Sequence, residues 1–102
     1  MNFFYEKQII IKNNSIPNFI VTHERYLPSS HKKKILEVSL LAISKATDFM
    51  DITKFVKDAM NEFDNSDKWQ CICGYRDSFN ISGPEEMGIA FNLGNFKFVV
   101  FK

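Results

Sequence analysis

Hydrophobic periodicity predicts two helices in the middle of the chain. Pro28-Ser29-Ser30 gives a helix start with a serine as the expected N-cap, and this helix continues to about Ala46. A second helix begins at Asp48 or Asp51, which are both suitable caps. Its apolar residues recur at helical spacing and are Ile52, Phe55, Val56, Ala59, Met60 and Phe63. Because polar residues cover the opposite side, one face of this helix is expected to lie on a core.

The last third of the chain, residues 69–102, predicts four β-strands in succession. The first begins at Trp69, and its side chains alternate between two faces. The second is short, from Ser78 to Ser82. Gly83-Pro84 ends it, since Pro supplies no N–H and restricts the residue before it.

The third and fourth of these strands are predicted to form a hairpin. Gly94-Asn95 is a tight-turn signal between two apolar runs. The third strand alternates large apolar residues with the small residues Gly88, Ala90 and Asn92. The fourth, Phe96 to Phe101, is apolar on both faces except at Lys97, so it is expected to lie in the centre of the sheet.

The N-terminal region gives weaker signals. Ile9-Ile10-Ile11 predicts a short strand over Lys7–Asn13. Asn14–Leu27 shows no steady period and contains Pro17, so an irregular connection is expected. The resulting order, β-α-α-β-β-β-β, indicates an α+β fold in which two helices pack on an antiparallel sheet. Residues 1–102 are the right length for a single domain.

Composition excludes several classes of partner. The net charge is only +1 with 25% charged residues, which argues against a nucleic acid or a membrane surface. No apolar run approaches the ~18 residues that a membrane span needs. Cys71 and Cys73 fall on one face of the same strand, where a disulfide between them would strain the backbone. Buried thiols in a reducing cytosol are therefore expected.

Candidate catalytic and metal-binding residues are few. Cys71-x-Cys73 has no second cysteine pair or histidine pair, as a zinc site would need. His23 and His31 are expected at the surface, without a nucleophile and acid beside them. Glu85-Glu86 are neighbours whose side chains point apart. The sequence thus predicts no catalytic residues, no metal site, no cofactor and no enzyme activity.

Several motifs in order resemble the small cytoplasmic dynein light chain family, types 1 and 2. Asp51-Ile52 matches the family's D-I-x-x-x-I/V-K helix, and Trp69–Gly74 matches its W-H-C-I-V-G strand. Leu93-Gly94 and Phe101-Lys102 match the L-G hairpin and the final F-K. Ile10–Asn13 is similar to the family's first strand, V-I-K-N. On this alignment residues 14–27 are interpreted as an insertion.

The resemblance implies a cytoplasmic, cytoskeleton-associated light chain of a dynein motor complex, with no enzymatic activity. It implies a homodimer in which the short strand Asp77–Ser82 crosses to the partner's sheet. That strand then accepts an extended peptide from a dynein intermediate chain or another client with a short linear motif. Such a hub would pair client chains in microtubule-based processes. The alternative is a strand-adding adaptor that acts outside dynein; a thiol enzyme at Cys71 or Cys73 is a distant third.

The resemblance also implies residues for both surfaces. The peptide groove maps to Lys12, Asn13, Arg76, Asp77, Ser78, Phe79, Asn80, Ile81, Ser82, Gly88, Ala90 and Asn92. The dimer interface maps to Gln70, Phe79, Ile81 and Ala90. Phe49-Met50 stands where the family has a Glu-Lys pair that caps a client glutamine, so a changed peptide preference is expected.

Overall fold

A computed structural model describes residues 2–12, 19–78, 83–84 and 86–102. These residues form three helices and four strands, which confirms the predicted α+β class. In chain order the elements are α1 (Phe3–Lys12), β1 (Phe19–Arg25), α2 (Ser29–Lys45), α3 (Phe49–Phe63), β2 (Gln70–Tyr75), β3 (Gly88–Leu93) and β4 (Phe96–Phe101).

The strands form one antiparallel sheet in the order β1-β3-β4-β2. Strand β4 lies inside the sheet, as its two apolar faces predicted. The β3–β4 connection is the predicted hairpin, and Gly94 there has φ +59°. Glycine adopts this left-handed conformation without the steric cost that a Cβ would bring. The predicted turn at Gly94 and the predicted central position of β4 are therefore both confirmed.

Helices α2 and α3 cover one face of the sheet, here called the inner face. The apolar stripes of both helices meet alternate residues of β3 and β4. The buried core consists of Ile10, Ile35, Val38, Ala42, Ile43, Ala46, Ile52, Val56, Met60, Trp69, Ile89, Phe91, Leu93, Phe96, Phe98 and Val100. The opposite, outer face consists of Ile20, His23, Arg25, Gln70, Ile72, Gly74, Gly88, Ala90, Asn92, Lys97, Val99 and Phe101.

The two central helices begin close to where the sequence predicts. Asp48 is the N-cap of α3, and its side chain accepts a hydrogen bond from the N–H of Asp51 at 2.8 Å. The N-cap of α2 is Pro28, with no side-chain cap, so the predicted serine cap is wrong. Ser30 instead places its hydroxyl 3.3 Å from Nδ1 of His31.

Helix α1 occupies the segment predicted as a strand over Lys7–Asn13, and that prediction is wrong for residues 7–12. The Oδ1 atom of Asn2 accepts hydrogen bonds from the backbone N–H groups of Phe4 (2.9 Å) and Tyr5 (3.2 Å). These bonds cap the first turn. Because β-branched residues such as Ile9-Ile10-Ile11 lower helix propensity only slightly, capping and packing decide the conformation.

Helix α1 docks on the β3–β4 turn through Glu6 and Ile10, which lie one helical turn apart and are both buried. The Glu6 carboxylate accepts hydrogen bonds from the backbone N–H (3.0 Å) and the side-chain amide (3.1 Å) of Asn95. A Cβ on Gly94 would lie 2.5 Å from Oε2 of Glu6 and 2.9 Å from Cγ1 of Ile10. The helix therefore closes over a turn whose glycine leaves room for it.

Strand β1 lies inside residues 14–27, so the predicted irregular connection is wrong for residues 19–25. Its alternation breaks at Thr22, which is an extra residue between Val21 and His23 in the pairing with β3. The Thr22 hydroxyl donates to a backbone carbonyl of β3 at 3.2 Å. Most of β1 is also exposed, and these two features explain why no strand period is visible in the sequence.

Candidate protein-interaction surfaces

The outer face of the sheet carries apolar residues that α2 and α3 do not cover. Ile72 of β2 is 36% exposed and lies opposite Val99, next to Phe101 of β4. A cavity of about 330 Å³ lies against these residues. Among the described residues, its lining consists of Ile72, Gly83, Pro84, Glu86, Val99, Phe101 and Lys102. The surface is suited to contact with an apolar partner surface.

The connection from β2 to β3 contains the predicted crossing strand, Asp77–Ser82. Residues 76–78 form a turn, with the N–H of Arg76 donating to the carbonyl of Asn95 at 2.8 Å. The strand prediction is therefore wrong at residues 77 and 78, and residues 79–82 lie outside the described part of the chain. On the β3 side, a Cβ on Gly83 would come 2.7 Å from the Cβ of His23. This end of the connection thus lies on the outer face of its own sheet.

The three small residues assigned to the groove floor are all buried in β3. Gly88, Ala90 and Asn92 lie side by side on the outer face. The Oδ1 atom of Asn92 is buried without a hydrogen-bond partner in the described structure. Because β1 and β4 pair with both edges of β3, its backbone has no free edge for a client strand. These residues can contact a ligand only through the outer face.

The other assigned residues are dispersed. Gln70 is exposed on the outer face at the start of β2. Lys12 is exposed at the end of α1, so its assignment to a first strand is wrong. Asn13 and Phe79–Ser82 fall outside the described residues. The family's first-strand motif V-I-K-N has two apolar residues followed by two polar ones. In the observed first strand this pattern is found at Ile20–His23. The complete groove and interface assignments remain predictions.

A groove between α3 and β2 was missed by the sequence analysis. Strand β2 pairs only with β4, so within the described residues its other edge is open. The groove encloses about 530 Å³. We call it the α3–β2 groove, and its lining residues are Met50, Asp51, Thr53, Lys54, Lys57, Asp58, Gln70 and Cys71. Apart from Met50, the lining residues on α3 belong to the polar face of this helix, which the periodicity assigns to solvent.

Of the four charged residues that line the α3–β2 groove, two form an ion pair with each other. Lys54 forms an exposed ion pair with Asp58 at 2.9 Å. Hydrogen bonds from the hydroxyl and the N–H of Thr47 lower the pKa of Asp51. Lys57 is half-buried, and no carboxylate among the described residues lies within ion-pair distance of its ammonium group. Lys57 and Asp51 are thus the two charged groups of the groove without an ion-pair partner among the described residues, and the four charges of the groove sum to zero.

The two thiols share one face of β2, as predicted, and it is the inner face; both are partly buried and not fully buried as expected. Burial raises the pKa of Cys71 to about 12. Burial, with a smaller effect from Cys71, also raises the pKa of Cys73 well above its ordinary value of 9.0. Neither cysteine is in a disulfide, and the raised pKa values keep both thiols protonated at neutral pH, the form that is a poor nucleophile.

A second charged group, the Asp64 cluster, lies at the far end of α3. The Oδ2 atom of Asp64 accepts hydrogen bonds from Nε1 of Trp69 (3.0 Å) and Nζ of Lys102 (2.8 Å). Its Oδ1 atom lies 3.0 Å from Nε2 of His31, whose ring stacks on Trp69. The bonds from Lys102, His31 and Trp69 hold the pKa of Asp64 well below its usual range. His31 is thus half-buried rather than at the surface as predicted.

Two further features bear on function. No three His, Cys, Asp or Glu side chains are grouped to hold a metal ion in the parts of the chain that the structure covers. Across those same parts, no helix is both long and apolar enough to cross a membrane.

Solved structures show where this fold occurs. The chain is similar to the dynein light chain-like domain of the Fasciola hepatica calcium binding protein FhCaBP2, with a TM-score of 0.68 and 14% identity. That similarity covers 88% of this chain and 95% of the other. A mercury derivative of the same domain matches with a TM-score of 0.62 and 16% identity, over 83% and 91% of the two chains. No curated protein sequence matches significantly.

The sequence model of the family described as dynein light chain type 1 matches residues 20–102. The match begins in β1, so the family's first strand corresponds to Phe19–Arg25 and not to Ile10–Asn13. Helix α1 precedes the match. Members of this family generally act without enzymatic activity, dimerise, and bind intermediate chains and clients in the cytoplasm and on the cytoskeleton. With more than half of its length matched, the chain belongs to the dynein light chain family.

Proposed function

We propose that this protein is a dimeric light chain of a dynein motor complex that binds extended client peptides by β-strand addition. It would promote the pairing of these clients in microtubule-based processes. The observation that carries the proposal is the open edge of β2, in a chain of the dynein light chain family. The partner's crossing strand would pair with this edge, and the other edge of that strand would accept the client peptide. An open edge offers unpaired backbone N–H and C=O groups, and the groove offers side-chain contacts.

The outer face supports the dimeric state. Ile72 and Gln70 are exposed there, next to an apolar cavity whose walls include Val99 and Phe101. In the proposed dimer this face packs on a second copy, and the strand assigned to Asp77–Ser82 pairs with the partner's β2. Burying apolar surface contributes about 25 cal/mol per Å², so this face is a reasonable source of association energy.

A role without catalysis fits the thiols. Cys71 and Cys73 have raised pKa values because they are buried. Native protein should therefore react slowly with an alkylating reagent, whereas unfolded protein should react at the rate of ordinary thiols. Rapid alkylation of either native thiol would favour the thiol-enzyme alternative.

A strand-adding adaptor that acts outside dynein is the second candidate. Phe49 packs against Phe3, Tyr75 and Phe96, where the family has a charged residue for its client glutamine. The solved neighbours are domains of a calcium binding protein, so this fold is not confined to proteins named for dynein. Both observations support a changed set of clients.

Sedimentation and co-purification test the proposal. Wild-type protein at micromolar concentration should sediment at about twice 11.9 kDa. Ile72→Lys should give a folded monomer, because a charge on the contact face loses its hydration on association. Leu41→Lys is the matched control, since Leu41 is 44% exposed on α2 away from that face.

Capture of dynein intermediate chain from a native cell extract by wild-type protein, and its loss in Ile72→Lys, would support the dynein role. Specific capture of other proteins without dynein chains would favour the adaptor. A wild-type monomer at that concentration would refute the dimeric model.

A further inference from the structure

Asn92 carries a buried acceptor that its own chain does not satisfy. Only 8% of the residue is exposed, and its Oδ1 atom has no hydrogen-bond partner among the described residues. Within the sheet, Asn92 lies between Ile20 of β1 and Lys97 of β4 on the outer face. Burying an acceptor without a donor is unfavourable, because its hydrogen bonds to water are lost and not replaced. A donor from another molecule would remove this cost.

The position of Asn92 in the sheet restricts the direction from which a donor can come. Strands β1 and β4 pair with both edges of β3, so the backbone N–H groups beside Asn92 are directed within the sheet. Helices α2 and α3 pack on the inner face, away from this side chain. A donor must therefore approach across the outer face.

Ser39 carries the other buried side-chain oxygen without a hydrogen-bond partner in the described structure. It lies in α2 and is fully buried. A second chain cannot reach Ser39 while α2 stays packed, whereas Asn92 belongs to a face that the proposed dimer uses. The two residues therefore share one defect at different places, which makes Ser39 a matched control.

The outer face is the surface assigned above to contact with a second copy. In the single chain the β2–β3 connection reaches this face at Gly83, which packs against His23. In the proposed dimer the crossing part of this connection pairs with the partner's sheet instead. Asn92 is two residues, or about 7 Å, along β3 from Ala90, which is paired with Val99 beside the apolar cavity. The unpaired acceptor thus borders the apolar contact surface.

We propose that Asn92 is a specificity residue of the dimer, and that its Oδ1 atom accepts a hydrogen bond from an N–H or O–H group of the second copy. The inference rests on the proposed dimeric function. A single polar group in an otherwise apolar contact surface fixes how two chains align, because other alignments leave that group unpaired. Asn92 therefore selects one orientation of the two outer faces.

The dissociation constant of the dimer, measured by sedimentation, tests the inference. Asn92→Val removes the acceptor and introduces a side chain that is favoured in strands. We expect about tenfold weaker dimerisation, because the donor of the second copy is left without an acceptor. Ser39→Ala also removes a buried, unpaired oxygen and should change the dissociation constant less than about twofold. Asn92→Ala serves if Asn92→Val does not fold.

A second measurement separates pairing between chains from a structural role within one chain. Ile72→Lys, the expected folded monomer, provides the background. In that background Asn92→Val should leave the melting temperature unchanged or raise it, because an unpaired acceptor is removed. In the dimeric protein the same substitution should lower the melting temperature at a fixed protein concentration. Equal losses in both backgrounds would assign Asn92 a role within its own chain and overturn the inference.

The outcomes also separate this inference from the function on which it rests. An unchanged dissociation constant for Asn92→Val would overturn the inference and leave the dimer intact. If that unchanged dimer no longer captured intermediate chain, the acceptor would serve a client instead of the second copy. A wild-type monomer at micromolar concentration would overturn both the inference and the dimeric function.

Discussion

The Asp64 cluster and the α3–β2 groove place charges on the same helix side of the sheet with opposite consequences. Asp64 accepts hydrogen bonds from Trp69 and Lys102 and pairs with His31, so its carboxylate has partners from three other parts of the chain. Lys57 has no acidic partner among the described residues. The first charge is held by bonds within the fold, whereas the second has no ionic partner there among the described residues.

This difference indicates which charged residues can be replaced without a loss of stability. Removing a charge that satisfies a buried donor leaves that donor unpaired, which costs more than the bond itself contributes. Removing an unpaired, partly exposed charge leaves no buried donor or acceptor without its partner. Stability measurements should therefore divide the charged residues of α3 and its surroundings into two groups.

The largest effect is expected for Asp64→Ala. The substitution leaves the indole N–H of Trp69, a fully buried residue, without its acceptor. We expect the free energy of unfolding to fall by about 2–3 kcal/mol, measured by urea denaturation at a fixed protein concentration. Lys57→Ala is the control and should change it by less than about 0.5 kcal/mol. Equal losses in the two variants would remove the distinction between the sites.

A smaller effect is expected for Glu6→Ala, which extends the comparison to a carboxylate bound by neutral donors. Both hydrogen bonds to Asn95 are lost, and the free energy of unfolding should fall by about 1–2 kcal/mol. Amide hydrogen exchange at Asn95 should become faster. Gln8→Ala, at an exposed position of α1, should leave that exchange rate unchanged. Unaltered exchange in Glu6→Ala would show that α1 does not hold the turn.

The smallest effect is the pH dependence of the Asp64 cluster. The folded-state pKa of Asp64 lies well below its ordinary value of 3.8, so the unfolded chain takes up this proton first as pH falls. The stabilisation is complete above about pH 5 and decreases progressively below about pH 4.

Asp64→Asn has no such proton to gain. Its deficit in melting temperature relative to wild type should therefore shrink between pH 6 and pH 3, measured by circular dichroism at fixed ionic strength. A deficit that stays constant over this range would contradict the charged role of Asp64.

The sequence predicted the parts of the fold whose signals are local. Helix α3 has uninterrupted periodicity and an Asp48 cap, and the β3–β4 hairpin has Gly94 between two apolar runs. Helix α1 was mistaken for a strand because its capping by Asn2 and its docking through Glu6 depend on residues outside the Ile-rich run. No pattern within residues 9–11 carries that information.

The candidate site was harder to predict for a related reason. The family resemblance indicated the class of function, but the α3–β2 groove has walls from two elements that are distant in sequence. Lys57 belongs to a polar stripe that looks solvent-facing until β2 is placed beside it. Similarly, His31 and Asp64 are 33 residues apart, and their contact follows from the packing of α2 against α3.

The bulge at Thr22 affects whether the sheets of different molecules can pair through their edges. A sheet with two regular open edges can propagate from molecule to molecule into fibres. One edge of this sheet is β1, where the extra residue interrupts the ladder and the exposed His23, Glu24 and Arg25 follow it. Bulges and charges of this kind discourage pairing between edges. Regular pairing between sheet edges is thereby confined to the β2 side of the described sheet, and unlimited polymerisation is disfavoured.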